Sequence, residues 1–315
     1  MIGFKQVEVV PYDPAWPQLF EEEAARIKQA LGENCCEIHH IGSTSVPGLK
    51  AKPLIDILPV VYDLQKVDQA TPLMEAMGYE DKRDFGIAFR HFFCKRQERR
   101  THNVHIFEIG SPEIEKHLIF RDWMRTHEGD RREYAQIKQQ LADQFPDDSM
   151  AYSLGKNKFI KDILQKVGYR GRTMVLCLLE EEWAAAKAMR QKYFFDKVSI
   201  EDPYGWTFDH PDHKHLVLYQ GSDIVGYAHI QLWPEQRAAL RIIVIDEPFR
   251  NQGLGPHFLG QCEKWLNHQG YKILQTESSP EALRFYEHHG YTPMSFDDPD
   301  GYESNPRDTP VGKVL

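Results

Sequence analysis

The chain has 315 residues, 41% of them hydrophobic and 27% charged, with a formal net charge of −9; that length favours about two domains of ordinary globular composition. No run approaches the roughly 18 apolar residues of a membrane helix, and residues 1–12 lack the basic start, apolar stretch and small-residue cleavage site of a signal peptide. The acidic balance argues against nucleic-acid binding, which shows a basic face. Five cysteines without a C-x-x-C pair fit neither a disulfide framework nor a zinc ribbon and point to a reducing cytoplasm.

In chain order, the pattern predicts an extended segment at Gln6–Val10 and a helix from the Asp13-Pro14 cap to Leu31, stopped by Gly32. A strand at Glu37–Ile41, a Gly/Ser/Pro loop and an apolar strand at Pro53–Val61 follow, then a helix at Leu64–Met77. Strands at Ile87–Cys94 and Asn103–Glu108 flank Lys95-Arg96-Gln97-Glu98-Arg99-Arg100, read as a solvated hairpin tip. Three helices are expected next: one from Ser111-Pro112, one from Asp130 with Glu133 as a capping box, and one over Tyr152–Val167. The glycine-rich Gly168–Arg172 is the seam, giving domains 1–170 and 171–315. The first carries net −2 and the second net −7.

The second half reads as a strand (Met174–Leu178), a helix (Glu180–Lys192), a polar loop and strands at His215–Gln220, Ile224–Trp233 and Arg237–Ile245. A glycine turn leads into a helix at Gly255–His268. A strand at Ile273–Glu277, a helix capped by Ser279-Pro280 and a strand near Tyr291–Phe296 complete it, with a tail ending in a short edge strand. The fold class is α/β (α+β), with a mixed sheet and helices in each half. His210, His213 and His215 recur at short spacing, but no further Cys or paired His completes a metal set. They read as a solvated loop on the substrate side.

Arg250-Asn251-Gln252-Gly253-Leu254-Gly255 is a strand–glycine turn–helix element, where unpaired N–H groups and the helix dipole suit an anion. This stretch resembles the acetyl-CoA motif of the GNAT N-acetyltransferases, R/Q-x-x-G-x-G/A. Ala282-Leu283-Arg284-Phe285-Tyr286-Glu287-His288-His289-Gly290-Tyr291 resembles that family's second signature. The resemblance implies that Ile243, Val244 and Ile245 hold the pantetheine arm of acetyl-CoA. It also implies that Arg250, Gln252, Gly253 and Gly255 hold its pyrophosphate, and that Tyr286 protonates the departing thiolate. A base must deprotonate an acceptor amine; Glu277 and His229 are the two candidates. The net −7 favours a cationic acceptor, a small-molecule or peptide amine.

In the first half, Gly42-Ser43-Thr44-Ser45-Val46-Pro47-Gly48-Leu49-Lys50-Ala51-Lys52-Pro53-Leu54-Ile55-Asp56-Ile57 outlines a turn that holds phosphate, with a carboxylate on the following strand. With Asn103-Val104-His105, the Phe120-Arg121-Asp122-Trp123 helix and Lys156, it resembles the GrpB family, which implies a nucleotidyltransferase-like fold. Gly42, Ser43, Lys52, Asp56, Asn103 and His105 are then candidates for a nucleotide or phosphate pocket, with Mg²⁺ as the expected companion ion. The pattern departs at Leu58, where active nucleotidyltransferases carry a second carboxylate; Glu108, His39 or His105 would have to complete the site. The expected activity is acetyl transfer to an amine. The alternative is a protein that binds or transfers nucleotides through Asp56, with an acetyl-CoA-sensing second half.

Overall fold

In the computed structural model, residues 7–96, 100–196, 199–301 and 305–315 are described; Gln6 and residues 97–99 of the hairpin tip lie outside them. The chain divides into two compact units, up to Thr173 and from Met174. Among the described residues, no helix is long and apolar enough to cross a membrane.

The first unit contains α1 (Trp16–Leu31), β1 (Cys35–Ile41), β2 (Ile55–Val61), α2 (Val67–Ala76) and β3 (Tyr79–Asp81). Then come β4 (Arg90–Arg96), β5 (Arg100–Glu108), α3 (Pro112–Thr126), α4 (Glu128–Gln144), α5 (Ser149–Leu154) and α6 (Asn157–Lys166). Its sheet runs β1-β2-β5-β4-β3, and only the β2–β5 pairing is parallel, setting Asp56 beside Asn103. Trp16, Phe20, Ala24, Ile27 and Leu31 recur at helical spacing and pack on Ile55, Ile57 and Val61 of β2 and on Val104 and Ile106 of β5. Each such buried side chain contributes roughly 1.5–3 kcal/mol.

Three helix starts differ from the sequence reading. Trp16 N bonds the Asp13 carbonyl at 3.1 Å and Ala15 N bonds the Asp13 carboxylate at 2.9 Å, so Asp13 closes a turn ahead of α1. Asp130 does not cap α4, because Trp123 Nε1 (2.6 Å) and Lys166 Nζ (3.0 Å) already occupy its carboxylate. The helix expected over Tyr152–Val167 is broken into α5 and α6 at Gly155, where a Cβ would stand 2.4 Å from the Leu141 side chain. Asp148 caps α5 by accepting from the N–H groups of Met150 and Ala151.

The second unit holds β6 (Arg172–Leu176), α7 (Glu180–Arg190), β7 (His213–Gln220), β8 (Asp223–Trp233) and β9 (Arg237–Ile245). It continues through α8 (Leu254–His268), β10 (Ile273–Ser278), α9 (Leu283–His288), β11 (Thr292–Pro293) and β12 (Thr309–Val314). The sheet order is β11-β12-β10-β9-β8-β7-β6. The C-terminal strand is therefore not an edge. β12 enters between β10 and β11, pairing antiparallel with both, and Val311 is buried there. Gly312 makes this possible, since a Cβ would meet the Met294 sulfur at 2.4 Å.

Candidate functional site

In the second unit the decisive feature is where two neighbouring strands part. β9 and β10 run parallel and pair at Ile273–Arg237, Leu274–Ala238 and Gln275–Ala239, and no further. On its other side, β9 pairs with β8 as far as Ile245, but the register passes from Ile230–Leu240 to His229–Ile242. Arg241 is thus the extra residue of a bulge, which bends β9 away from β10. Alternate backbone groups of Ile243, Val244 and Ile245 then face a gap rather than a strand. Backbone N–H and C=O groups facing such a gap can receive an extended amide chain as an added strand would be received, although the Ile245 carbonyl already accepts from Arg250.

Below the gap the chain turns through Asn251 (φ 62°) and Gly253 (φ 71°) into α8. No side chain caps that helix start, so its first N–H groups are available to an anion. Nothing lies within 4 Å of the position a Gly253 Cβ would take. Gly255 is 3.6 Å from the Phe285 ring by the same measure, an ordinary contact. Arg250 braces the loop: its Nε donates to the Ile245 carbonyl at 3.0 Å and its guanidinium lies over the Tyr193 ring. Gln252 Nε2 donates to the Pro248 carbonyl at 3.4 Å.

Tyr286 is 6% exposed and its hydroxyl lies beside the Thr276 side chain. Thr276 Oγ1 donates its proton to the Leu240 carbonyl at 2.8 Å. Thr276 directly follows Gln275, the last paired residue, which puts the phenol at the fork of the strands. Burial pushes its pKa up to about 12, and it is a protonated acid at neutral pH. Glu277 is half-buried, and strand alternation places it on the face opposite Thr276.

Of the three histidines expected in a solvated loop, only His210 is exposed in one. His213 and His215 lie in β7 and are buried, as is His229 in β8; hydrophobic neighbours on both strands draw them in. His213 Nδ1 and His229 Nε2 share a 2.7 Å hydrogen bond, and His215 stacks on His229 with centroids 4.5 Å apart. His215 Nε2 bonds the Thr207 carbonyl and is therefore the protonated nitrogen, so Nδ1 accepts from the Tyr227 hydroxyl. Burial lowers His213, His215 and His229, the first two to about 4. They stand as a neutral array.

In the first unit Gly42 (φ 69°) closes over Asp56: a Cβ on it would lie 2.4 Å from Asp56 Oδ2. Asn103 Nδ2 donates to Asp56 Oδ1 at 2.9 Å, and His105 Nε2 lies 3.6 Å from the same oxygen. Arg90 donates to His105 Nδ1 at 3.3 Å, which leaves the His105 proton on Nε2, facing Asp56. Burial would raise the Asp56 carboxyl, but the bonds from His105 and Asn103 and the Lys156 charge outweigh it and hold it below its ordinary range. Lys52 donates to Ser149 Oγ at 3.1 Å, and Lys52 and Lys156 both lie over the Tyr152 ring. Burial pulls Lys156 down to about 8 against the opposing pull of Asp56. Ser43 lies beside the Tyr134 hydroxyl.

All six first-half candidates thus come together, joined by Lys156, Tyr134 and Tyr152. Sequence reasoning noted Lys156 as a motif residue but not as a neighbour of Asp56. Glu108 and His39 do not complete the cluster. Glu108 accepts from Leu64 N at 3.3 Å at the far end of β5, and His39 pairs with Glu37. One carboxylate already bonded to Asn103, faced by His105 and flanked by two lysines is not a Mg²⁺ donor set. Among the described residues no three His, Cys, Asp or Glu side chains form a metal-binding group.

The sequence model of the GrpB protein family matches residues 6–166, and the chain belongs to that family. The acetyltransferase (GNAT) family model matches residues 177–291, so a GNAT domain follows the GrpB domain. UPF0157 protein YqkA of Bacillus subtilis is 45% identical over 157 residues, covering 50% of this chain and 46% of that protein. The chain thus spans about half the length of that relative. The crystal structure of GrpB from Enterococcus faecalis is 43% identical, covering 50% of this chain and 96% of that one, with a TM-score of 0.49. A GNAT acetyltransferase structure from Staphylococcus aureus covers 46% of this chain and 99% of its own, at 17% identity and a TM-score of 0.38.

Proposed function

We propose that the second unit transfers an acetyl group from acetyl-CoA directly to an amine. The observation that carries this reading is the parting of β9 from β10 immediately above an uncapped helix start, with the Tyr286 phenol at the fork. Bound acetyl-CoA would supply a thioester and a thiolate leaving group; Ile243, Val244 and Ile245 would hold its pantetheine amides, and the Gly253–Gly255 turn its pyrophosphate. Tyr286 donates the proton that neutralises the sulfur, a role its high pKa suits. Glu277 is the better placed base, because it keeps access to solvent while His229 is sealed in the histidine array. All five cysteines are unpaired, which supports a reducing cytoplasm as the site of action.

Release of free thiol on mixing with acetyl-CoA and a panel of small amines tests the reading. Tyr286→Phe should lower kcat by about 10²-fold or more, the usual contribution of a positioned acid, with acetyl-CoA binding retained. Unchanged turnover in that variant would remove Tyr286 from the chemistry.

For the first unit we propose a phosphate or nucleotide ligand at the Asp56 cluster, whose Gly-Ser turn and paired lysines supply donors and positive charge. The Asp56 carboxylate orients Asn103 and His105. Nucleotidyl transfer through Asp56, the alternative reading, lacks a second carboxylate. Calorimetric titration with ATP, alone and with Mg²⁺, tests both: binding without the ion supports the lysine-based pocket, and turnover dependent on the ion and on Asp56 supports the alternative.

A further inference from the structure

A second concave site in the first unit lies beside α1, β1 and α3, and the Asp56 cluster makes no use of it. It is an open cleft of about 620 Å³ lined by Tyr12, Phe20, His40, Arg121, Arg125 and Arg131, with Glu21 and Pro47 among its other walls. That volume is within the range of small-molecule sites, and far more than a lone phosphate needs.

Arg121 and Arg125 are one helical turn apart on α3, and their guanidinium groups are pinned in place. Arg121 Nη1 donates to the His40 carbonyl at 3.2 Å, and its Nε and Nη2 to the Asp122 carboxylate. Arg125 donates through Nε and Nη2 to the Ser45 carbonyl at 3.1 and 2.9 Å, and through Nη1 to Asp122 at 3.5 Å. Each guanidinium has five N–H groups and spends three on these bonds, so two on each have no protein partner among the described residues. Two cations therefore share one carboxylate, and that carboxylate is exposed. Arg131 adds a third cation and Glu21 a second anion, so the cleft keeps one net positive charge. His40 adds none, since burial lowers it to about 4.

We infer that this cleft binds a phosphorylated small molecule, its phosphoryl group held between Arg121 and Arg125. Backbone carbonyls hold both forks before any ligand arrives, as preorganised phosphate recognition requires, and the remaining cavity takes the organic part. The inference does not depend on acetyl transfer or on a ligand at Asp56.

Arg121 also braces β1 at His40 and Arg125 the loop at Ser45, so substituting them risks the fold. Glu21 and Pro47 are exposed on the cleft wall and make safer probes. Calorimetric titrations of the whole chain with inorganic phosphate and with AMP should show AMP binding at least tenfold tighter than phosphate. Glu21→Lys should tighten both by about three- to tenfold, and Pro47→Glu should weaken both by a similar factor. Both wall effects should persist in a Lys156→Met background, which removes a cation of the Asp56 cluster. Phosphate and AMP binding that ignores both wall variants but disappears in Lys156→Met would overturn the inference and assign the anion to the Asp56 cluster. No binding of either probe at millimolar concentration overturns it as well.

Discussion

Gly42 and Gly253 share a positive φ, 69° and 71°, though their ψ differs, −172° against 14°, and each is in a loop that borders its unit's candidate site. What lies over the missing side chain differs. Above Gly42 stands the chain's own Asp56 carboxylate, at 2.4 Å from a Cβ; above Gly253 there is open space. The first turn is closed by the protein itself, so a ligand there must exchange bonds already made among Asp56, Asn103 and His105. The second turn has open space on that side, which the proposed acetyl-CoA would fill. A glycine signature alone does not distinguish the two cases. The neighbour across the turn does.

Gly42→Ala should give the largest effect. At φ 69° and ψ −172° the backbone is in a region essentially confined to glycine, a cost of about 1–3 kcal/mol for alanine, and the methyl must also displace a carboxylate from its hydrogen bonds, for a total of about 2–4 kcal/mol or more. The melting transition of the first unit should fall by several degrees. In an Asp56→Ala background the clash is gone, and the cost of Gly42→Ala should shrink to the backbone penalty, a clear non-additivity. Equal costs in both backgrounds would mean that Asp56 does not explain Gly42.

Gly253→Ala should cost only the backbone penalty, about 1–2 kcal/mol, since no atom is in the way. Its sharper effect is on ligand: acetyl-CoA affinity should drop at least tenfold by calorimetry, because the methyl occupies the open side of the turn. Full affinity in a folded Gly253→Ala protein would break the comparison, leaving both turns as structural glycines.

The elements that defined these turns were readable because they are local: apolar periodicity, a glycine turn and a following cap signal need only neighbours in sequence. What escaped was set by distant partners. Asp130 has the look of a helix cap, yet Trp123 and Lys166 claim its carboxylate. The spacing of His213 and His215 fits a loop in a polar context, but β8 supplies His229 and Tyr227 to pair with them. The C-terminal strand reads as an edge, and pairs on both sides because β10 leaves that flank to it. At the Asp56 site, Asn103 and His105 were legible from the motif that carries the family resemblance, while Lys156, a hundred residues from Asp56, needed the fold to bring it near.

A smaller effect separates the charges of the first unit. Lys156 has a depressed pKa near 8, so its ammonium is intact below pH 8 and lost above it. An anion favours the charged form; affinity at the Asp56 cluster should be level from pH 6 to 7.5 and fall up to tenfold by pH 9.5, about 1.4 kcal/mol. Titration with ATP at fixed ionic strength checks this, and Lys156→Met should abolish the slope. A level profile in the parent protein would exclude Lys156 from the anion's contacts.

Gly255→Ala should do least. Its Cβ would lie 3.6 Å from the Phe285 ring, a normal packing distance, and Gly255 already has helical geometry in the first turn of α8. Replacing a helical glycine removes unfolded-state entropy, worth roughly 0.5–1 kcal/mol in favour of the fold. The expected result is a melting temperature equal or slightly higher and acetyl-CoA affinity within twofold. The same substitution thus harms Gly42 through the atom above it, harms Gly253 through its φ, and spares Gly255, which has neither. A loss at Gly255 as large as at Gly253 would show that bound acetyl-CoA approaches the helix start more closely than the Phe285 contact allows.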